Sequence, residues 1–158
     1  MIRKAEKSDL PQLTELFAGL HRHHCEIAPH KHRMPDHKFF ENTMEGILAD
    51  DEKIVLVSCG GDGTDKSKID AYALFKIINS DGEEKIPRKV CFVDCFAVRE
   101  GCRRKGIGKR LLNAVCEYGR ERGCNALQLG VDADNGGALK FYEKMGLTPR
   151  TFIMTKQI

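Results

Sequence analysis

The chain lacks long apolar runs. Stretches such as Ile54 to Val57 fall far short of the roughly 18 residues of a membrane helix. The opening Met1-Ile2-Arg3-Lys4-Ala5-Glu6-Lys7 has no apolar core of a secretory signal, so a cytoplasmic protein without a membrane partner is expected. Cys-x-x-Cys pairs are absent too. The seven cysteines are odd in number and irregularly spaced, which argues against a disulfide framework or a four-cysteine zinc site and for small buried thiols. Charge of one sign is scarce: a net +3 is too small to argue for nucleic acid. No internal repeat, low-complexity tract or linker divides the chain, and 158 residues suit one domain spanning 1–158. With 41% hydrophobic and 31% charged residues, the composition excludes the disordered and collagenous classes.

The charge that is present is concentrated. From Arg99 to Arg122 stand eight basic and three acidic residues, a net +5, so the remainder sums to −2. One short segment therefore carries the positive field that a compact anionic ligand needs.

Ile2–Ala5 predicts a first strand. Ser8 or Asp9 caps a helix with Pro11 in its first turn, and Leu10, Leu13, Leu16, Phe17 and Leu20 give it one apolar face. Asp36 caps a second helix with Phe40, Met44, Ile47 and Leu48 inward. Lys53–Cys59, Ile69–Ile78 and Val90–Val98 read as strands, Gly60–Gly63 as a loop and Asn79–Gly82 as a turn. A helix follows with Leu111, Leu112, Val115, Cys116 and Gly119 on one side. Ala126–Val131 is a further strand, Ala138–Met145 a short helix and Phe152–Thr155 a last strand. Strands in an early meander, then alternating with helices, predict a mixed α/β sheet covered on both faces.

The most specific feature is Val98-Arg99-Glu100-Gly101-Cys102-Arg103-Arg104-Lys105-Gly106-Ile107-Gly108-Lys109-Arg110, a strand end, a basic glycine turn and a helix start. Glycines let the backbone approach a ligand closely. The helix N-terminus adds unpaired donors and a positive dipole end that favour phosphate, and Arg103, Arg104 and Lys105 add full charges. Two other phosphate loops fail here. Gly101 and Gly106 have the Walker gap but are followed by Ile107, and Gly106-x-Gly108 has no third glycine at 111. A solvated basic turn capping an ordinary helix is the plainer reading of the turn alone.

The turn matches a signature. Arg103-Arg104-Lys105-Gly106-Ile107-Gly108 resembles the Arg/Gln-x-x-Gly-x-Gly/Ala motif of the GNAT family, the Gcn5-related N-acetyltransferases. Asn135-Gly136-Gly137-Ala138-Leu139-Lys140-Phe141-Tyr142-Glu143-Lys144-Met145-Gly146-Leu147 resembles a second family block, and Ile2-Arg3-Lys4-Ala5 with Asp9-Leu10 the family's start. The resemblance spans essentially the whole chain. It implies a GNAT-type α/β (mixed α+β) fold: a mixed, mostly antiparallel sheet of about six to seven strands with helices on both faces. The implied activity is transfer of acetyl from acetyl-CoA directly to a primary amine of a small molecule or peptide, with coenzyme A as cofactor and no metal. A catalytically weak acyl-CoA-binding sensor on the same fold is the alternative. A nucleic-acid-binding domain on the 99–122 patch lacks interleaved aromatics. Many relatives dimerise, so a homodimer is the assembly the resemblance offers.

By the same resemblance, the amides of Arg103, Arg104, Lys105, Gly106, Ile107 and Gly108, with Lys109 next, hold the coenzyme A pyrophosphate. Phe96, Ala97 and Val98 pair with the pantetheine arm, and an N–H aimed at the thioester oxygen stabilises developing charge. Asn135 meets the pantetheine arm and Ala138 follows it in the motif. Tyr142 matches the tyrosine whose hydroxyl protonates the departing thiolate; the plainer reading is a helix aromatic packed on the sheet. Asp94 occupies the place of a general base, although a structural hydrogen-bonder or an acceptor-binding anion fits as well, since an unpaired carboxylate in an apolar strand needs a reason. Cys95 stands where many members carry a second acid, which weakens a two-carboxylate arrangement. As an acyl-carrying nucleophile it runs against the family's direct transfer.

All six histidines fall between His21 and His37, in the stretch that forms part of the family's acceptor rim. They read as acceptor contacts near neutral pH or as a solvated helix end. A metal site on His21, His24 and Cys25, at i, i+3 and i+4, is the sharper alternative. Glu26, Asp36, Glu41 and Glu45 nearby hint at a cationic amine.

Overall fold

A computed structural model describes residues 1–61, 65 and 67–158, with 80, 81 and 85 as backbone only. The elements are β1 (Ile2–Lys4), α1 (Leu10–Ile27), α2 (His37–Ala49), β2 (Ile54–Cys59), β3 (Ile69–Gly82), β4 (Lys85–Val98), α3 (Ile107–Glu121), β5 (Ala126–Leu129) and α4 (Gly136–Lys144), with 3-10 turns at Lys7–Asp9 and Glu100–Cys102. The five strands form one sheet in the order β1-β2-β3-β4-β5. Neighbours run antiparallel from β1 to β4, and β5 lies parallel to β4.

Alternation along the strands sorts two cores onto opposite faces. Tyr72 and Leu74 of β3 join Leu13, Leu16, Met44 and Ile47 of α1 and α2. Ala71, Ala73 and Phe75 of the same strand join Ile107, Leu111 and Val115 of α3. Helices thus cover both faces, as expected. α3 lies close on β4 because residue 119 is glycine: a Cβ there would stand 3.2 Å from the Cys91 Cβ.

The structure departs from the expected boundaries where pairing overrides local preference. Asp36 caps α2 as expected, accepting from the Phe39 N–H at 2.8 Å. Asp9 does not cap α1 with its side chain. Its carboxylate accepts from the Arg3 guanidinium at 2.7 and 2.9 Å and from the Glu6 N–H at 2.8 Å, fastening β1 to the start of α1. The turn expected at Asn79–Gly82 is strand: Asn79 pairs with Lys89 and Gly82 with Lys85, so the hairpin extends past the body before reversing. Cross-strand pairing outweighs the poor strand propensity of these residues. Of the Gly60–Gly63 loop, residues 62 and 63 lie outside the described residues. The expected last strand is absent. Phe152–Thr155 is exposed and belongs to no strand, so among the described residues the sheet has five strands and not six or seven.

Candidate functional site

β4 and β5 part company midway. Their pairing runs from Val90–Ala126 to Val93–Leu129 and stops, whereas β4 continues to Val98 with β3 alone beside it. At the parting β4 carries a bulge: Leu74 pairs with Cys95 and Phe75 with Val93, leaving Asp94 as the extra residue. The bulge reverses which side chains face which core. Cys91 and Val93 before it, and Phe96 and Val98 after it, pack on the α3 side, while Cys95 and Ala97 turn to the α1–α2 side. Past the bulge, alternate backbone N–H and C=O groups of β4 face an open cleft. Such groups seek partners, and an extended chain bearing amides is suited to supply them.

The cleft ends at the glycine turn. Gly106 (φ 74°) is the N-cap of α3 and no side chain caps that helix, so its first-turn N–H groups point outward without a side-chain acceptor. Arg104 is left-handed as well (φ 62°), the one such non-glycine residue among the described residues, a strained conformation that tends to sit at binding sites. Arg103, Arg104, Lys105 and Lys109 are exposed. Ile107 is 1% exposed, which leaves only its main chain for a ligand. Behind the turn, the buried Asp70 carboxylate accepts from the Cys102 thiol at 3.3 Å and from the Gly61 N–H, and the Asp70 carbonyl accepts from the Arg99 N–H at 2.7 Å. Sequence reading missed Asp70; an acid in the apolar stretch Ile69–Phe75 was the available signal.

Across the cleft stands α4. Phe96 of β4 stacks on Phe141 at 5.9 Å between ring centroids and meets Tyr142 edge-on at 6.3 Å. Phe141 also reaches α3, where a Cβ at Gly108 would lie 3.4 Å from its ring. Phe141 thus joins β4, α3 and α4, a role the motif alone did not assign. Burial pushes the Tyr142 hydroxyl up to about 12, with the Cys95 thiol as a lesser cause, so it is a proton donor at neutral pH. Asn135 is the N-cap of α4, its side-chain oxygen accepting from the Ala138 N–H at 3.1 Å.

Asp94 lies 3.8 Å from the Lys76 ammonium, which also sits over the Phe92 ring. Lys76 was not foreseen, because the bulge that faces it toward Asp94 has no sequence signature. Burial pushes the Cys95 thiol up, and the Asp94 charge adds to this; a thiol held protonated is a poor nucleophile. The Tyr72 hydroxyl beside it is fully buried.

The histidines gather at the end of α1. His21 and His24 lie 6.0 and 5.4 Å from His32, and burial, then His32, holds His24 below its usual range. Among the described residues, no set of three His, Cys, Asp or Glu side chains is arranged to hold a metal; the His21, His24, Cys25 spacing does not converge. Beside them a cleft of about 540 Å³ is lined by His21, His32, Arg33, Met34 and Phe39. The α1–α2 segment is tied to the loop before α4 by Lys31, which donates to Asp132 at 2.9 Å and Asp134 at 2.8 Å. No described helix is long and apolar enough to cross a membrane.

A split parallel pair, a bulge at the split and a helix without a side-chain cap after a glycine turn leave a strand edge and a helix N-terminus open side by side. The model of the acetyltransferase (GNAT) family matches residues 12–147. The BH1408 protein of Bacillus halodurans, solved as a tetramutant, superposes with a TM-score of 0.91 at 23% identity, over 100% of this chain and 99% of that one. The aminoglycoside N-acetyltransferase AAC(6')-Iy, solved in complex with CoA, superposes at 0.75 with 18% identity, over 100% of this chain and 93% of that one. YdgE of Bacillus subtilis, an uncharacterized N-acetyltransferase, is 36% identical over 72 residues, 46% of either chain. Each curated relative is matched over less than half its length. The chain belongs to the GNAT acetyltransferase family.

Proposed function

We propose that residues 1–158 form one acetyltransferase domain that moves acetyl from acetyl-CoA to a primary amine of a small molecule or peptide in the cytoplasm. The observation that carries this reading is the open edge of β4 from the bulge at Asp94 to Val98, ending at an uncapped helix. The two ends differ in chemistry. The first-turn amides of α3, with Arg103, Arg104, Lys105, Gly106, Ile107, Gly108 and Lys109, suit a diphosphate. The edge at Phe96, Ala97 and Val98 suits the amides of a pantetheine arm, with Asn135 and Ala138 flanking it.

Bound acetyl-CoA supplies the thioester carbon that the amine attacks. Asp94 takes the proton the amine nitrogen loses as the N–C bond forms. Tyr142 delivers its hydroxyl proton to the sulfur as the C–S bond breaks, and regains one from solvent. Lys76, 3.8 Å away, pairs with the Asp94 carboxylate. The acceptor enters between the α1–α2 segment and the loop Lys31 fastens, with Glu26, Asp36, Glu41 and Glu45 on the exposed rim favouring a cationic amine.

The test is calorimetric titration with acetyl-CoA, compared with adenosine 3′,5′-bisphosphate, followed by an amine screen read by free-thiol release. One-to-one binding, much tighter for the whole coenzyme, and thiol release with an amine are expected. A folded protein that ignores millimolar acetyl-CoA would overturn the reading.

A further inference from the structure

The glycine turn from Glu100 to Gly106 has almost no support of its own. Every residue in it is exposed except Cys102, which is 3% exposed. Arg104 within it is left-handed, a conformation that costs energy and persists only where the surroundings over-determine it. The turn's own hydrogen bonds are local. The Cys102 N–H donates to the Arg99 carbonyl at 2.9 Å and the Arg103 N–H to the Glu100 carbonyl at 3.2 Å. The Arg103 side chain donates to the Val98 carbonyl, and Arg110 to the Lys105 carbonyl. Among the described residues, one hydrogen bond leads from this turn to a distant part of the chain, from the Cys102 thiol to the Asp70 carboxylate at 3.3 Å.

Asp70 stands on β3 and is 0% exposed. A carboxylate buried so fully needs partners, and each of its oxygens has one. Oδ1 accepts from the Cys102 thiol and Oδ2 from the Gly61 N–H. A thiol is a weak donor, but here its acceptor lies beyond the reach of water, where hydrogen bonds are stronger. An amide is a poor substitute for the acid: asparagine has one accepting oxygen, and its NH₂ would face a second donor. The Asp70 main chain holds the same turn, its carbonyl accepting from the Arg99 N–H at 2.7 Å. Gly61 closes the other side. A Cβ there would stand 2.6 Å from the Ile107 side chain and 3.1 Å from the Asp70 Oδ2, so the chain after β2 packs against the first residue of α3. One buried carboxylate thus joins β3, the end of β2 and the turn, directly behind the α3 N-terminus.

We propose that Asp70 is a positioning residue of the coenzyme site, an inference that rests on the acetyl-CoA reading above. Through the Cys102 thiol and the Gly61 N–H it fixes the glycine turn and the start of α3 before a diphosphate arrives. A site already ordered loses less freedom on binding, so the tie contributes to affinity although neither Asp70 nor Cys102 touches the ligand.

The test compares Cys102→Ala, which loses the donor, with Cys102→Ser, which keeps one at the same position, both in the full chain. Calorimetry is expected to show acetyl-CoA binding at least fivefold weaker in Cys102→Ala and within twofold of wild type in Cys102→Ser. Asp70→Asn is expected to bind as weakly as Cys102→Ala, and the double variant no more than twofold weaker than either, because both changes break one tie. If Asp70→Asn does not fold, the Cys102 pair decides alone. In the ligand-free protein, amide exchange at Cys102 and Arg103 is expected to be at least threefold faster in Cys102→Ala than in Cys102→Ser. A wild type that ignores acetyl-CoA overturns the acetyl-CoA reading and the positioning role with it, and the exchange difference then still marks the tie. Equal exchange in the two variants, or equal affinity in both beside a wild type that binds, overturns the positioning role alone.

Discussion

Tyr142→Phe removes one oxygen and leaves the aromatic wall in place. The ring meets Phe96 and Phe141 at centroid distances of 6.3 and 5.2 Å, and phenylalanine keeps both contacts. Coenzyme affinity should therefore change less than twofold. Turnover should not survive so well, because general acid catalysis supplies about 10² to 10⁴ in rate, or about 2.7–5.5 kcal/mol of barrier. The hydroxyl is held near 12 by burial, so it stays protonated across the ordinary assay range. The wild-type rate should show no alkaline fall from this group below about pH 11. The same shift bears on stability. A folded value above the unfolded one of about 10 contributes stability present below pH 10 and lost as pH rises toward 12. Tyr142→Phe should soften the alkaline unfolding as well as slow the chemistry. The assay is thiol release in pre-steady state, with acetyl-CoA binding measured separately. A variant that keeps more than half the wild-type rate of the chemical step would show that Tyr142 only packs.

Other substitutions separate the remaining roles. Asp94→Asn should lower kcat about a hundredfold with acetyl-CoA binding intact; if kcat holds and only the melting temperature drops, Asp94 is merely the partner of Lys76. Gly106→Ala forces a side chain into φ 74°, costing about 1–2 kcal/mol; calorimetry should show acetyl-CoA binding at least tenfold weaker. Leu111→Ala empties a fully buried site between α3 and the sheet, and denaturant titration should show a loss of about 3 kcal/mol. Asp9 is held below the usual carboxylate range chiefly by the Arg3 hydrogen bond. Its stabilisation is present above about pH 4 and lost as pH falls below it, so Asp9→Asn should flatten the acid limb of a stability–pH curve.

The parts of the fold that were legible in the sequence are those set by local chemistry. The apolar spacing of Leu13 and Leu16, the Asp36 cap and the glycine turn each state their structure within a few residues, and each stands where expected. The unread parts depend on register between distant segments. The bulge at Asp94 arises from how β4 aligns with β3, and nothing in Val93-Asp94-Cys95 announces it. Lys76 faces Asp94 only because of that alignment. The hairpin's extension past Asn79 depends on Lys85–Lys89 lying opposite. Phe152–Thr155 has the composition of a strand former but belongs to no strand, because composition alone does not supply a partner edge.

The geometry also explains why binding and chemistry should separate in mutant kinetics. From Val98 to Asp94 the free edge of β4 runs four steps, about 13 Å at strand rise. The glycine turn lies at one end and the bulge at Asp94 at the other. On the proposed function, a ligand held at the glycine turn is fixed by charge, and the reacting atoms fall at the bulge, where one inserted residue re-aims the backbone. Changes at Arg103, Gly106 or Lys109 should therefore appear in affinity for acetyl-CoA, and changes at Asp94 or Tyr142 in turnover. Phe96 belongs to both ends, because it sits on the edge and stacks on the opposite wall. Phe96→Ala should move KM and kcat together, since widening the cleft loosens the arm and misplaces the thioester by the same displacement.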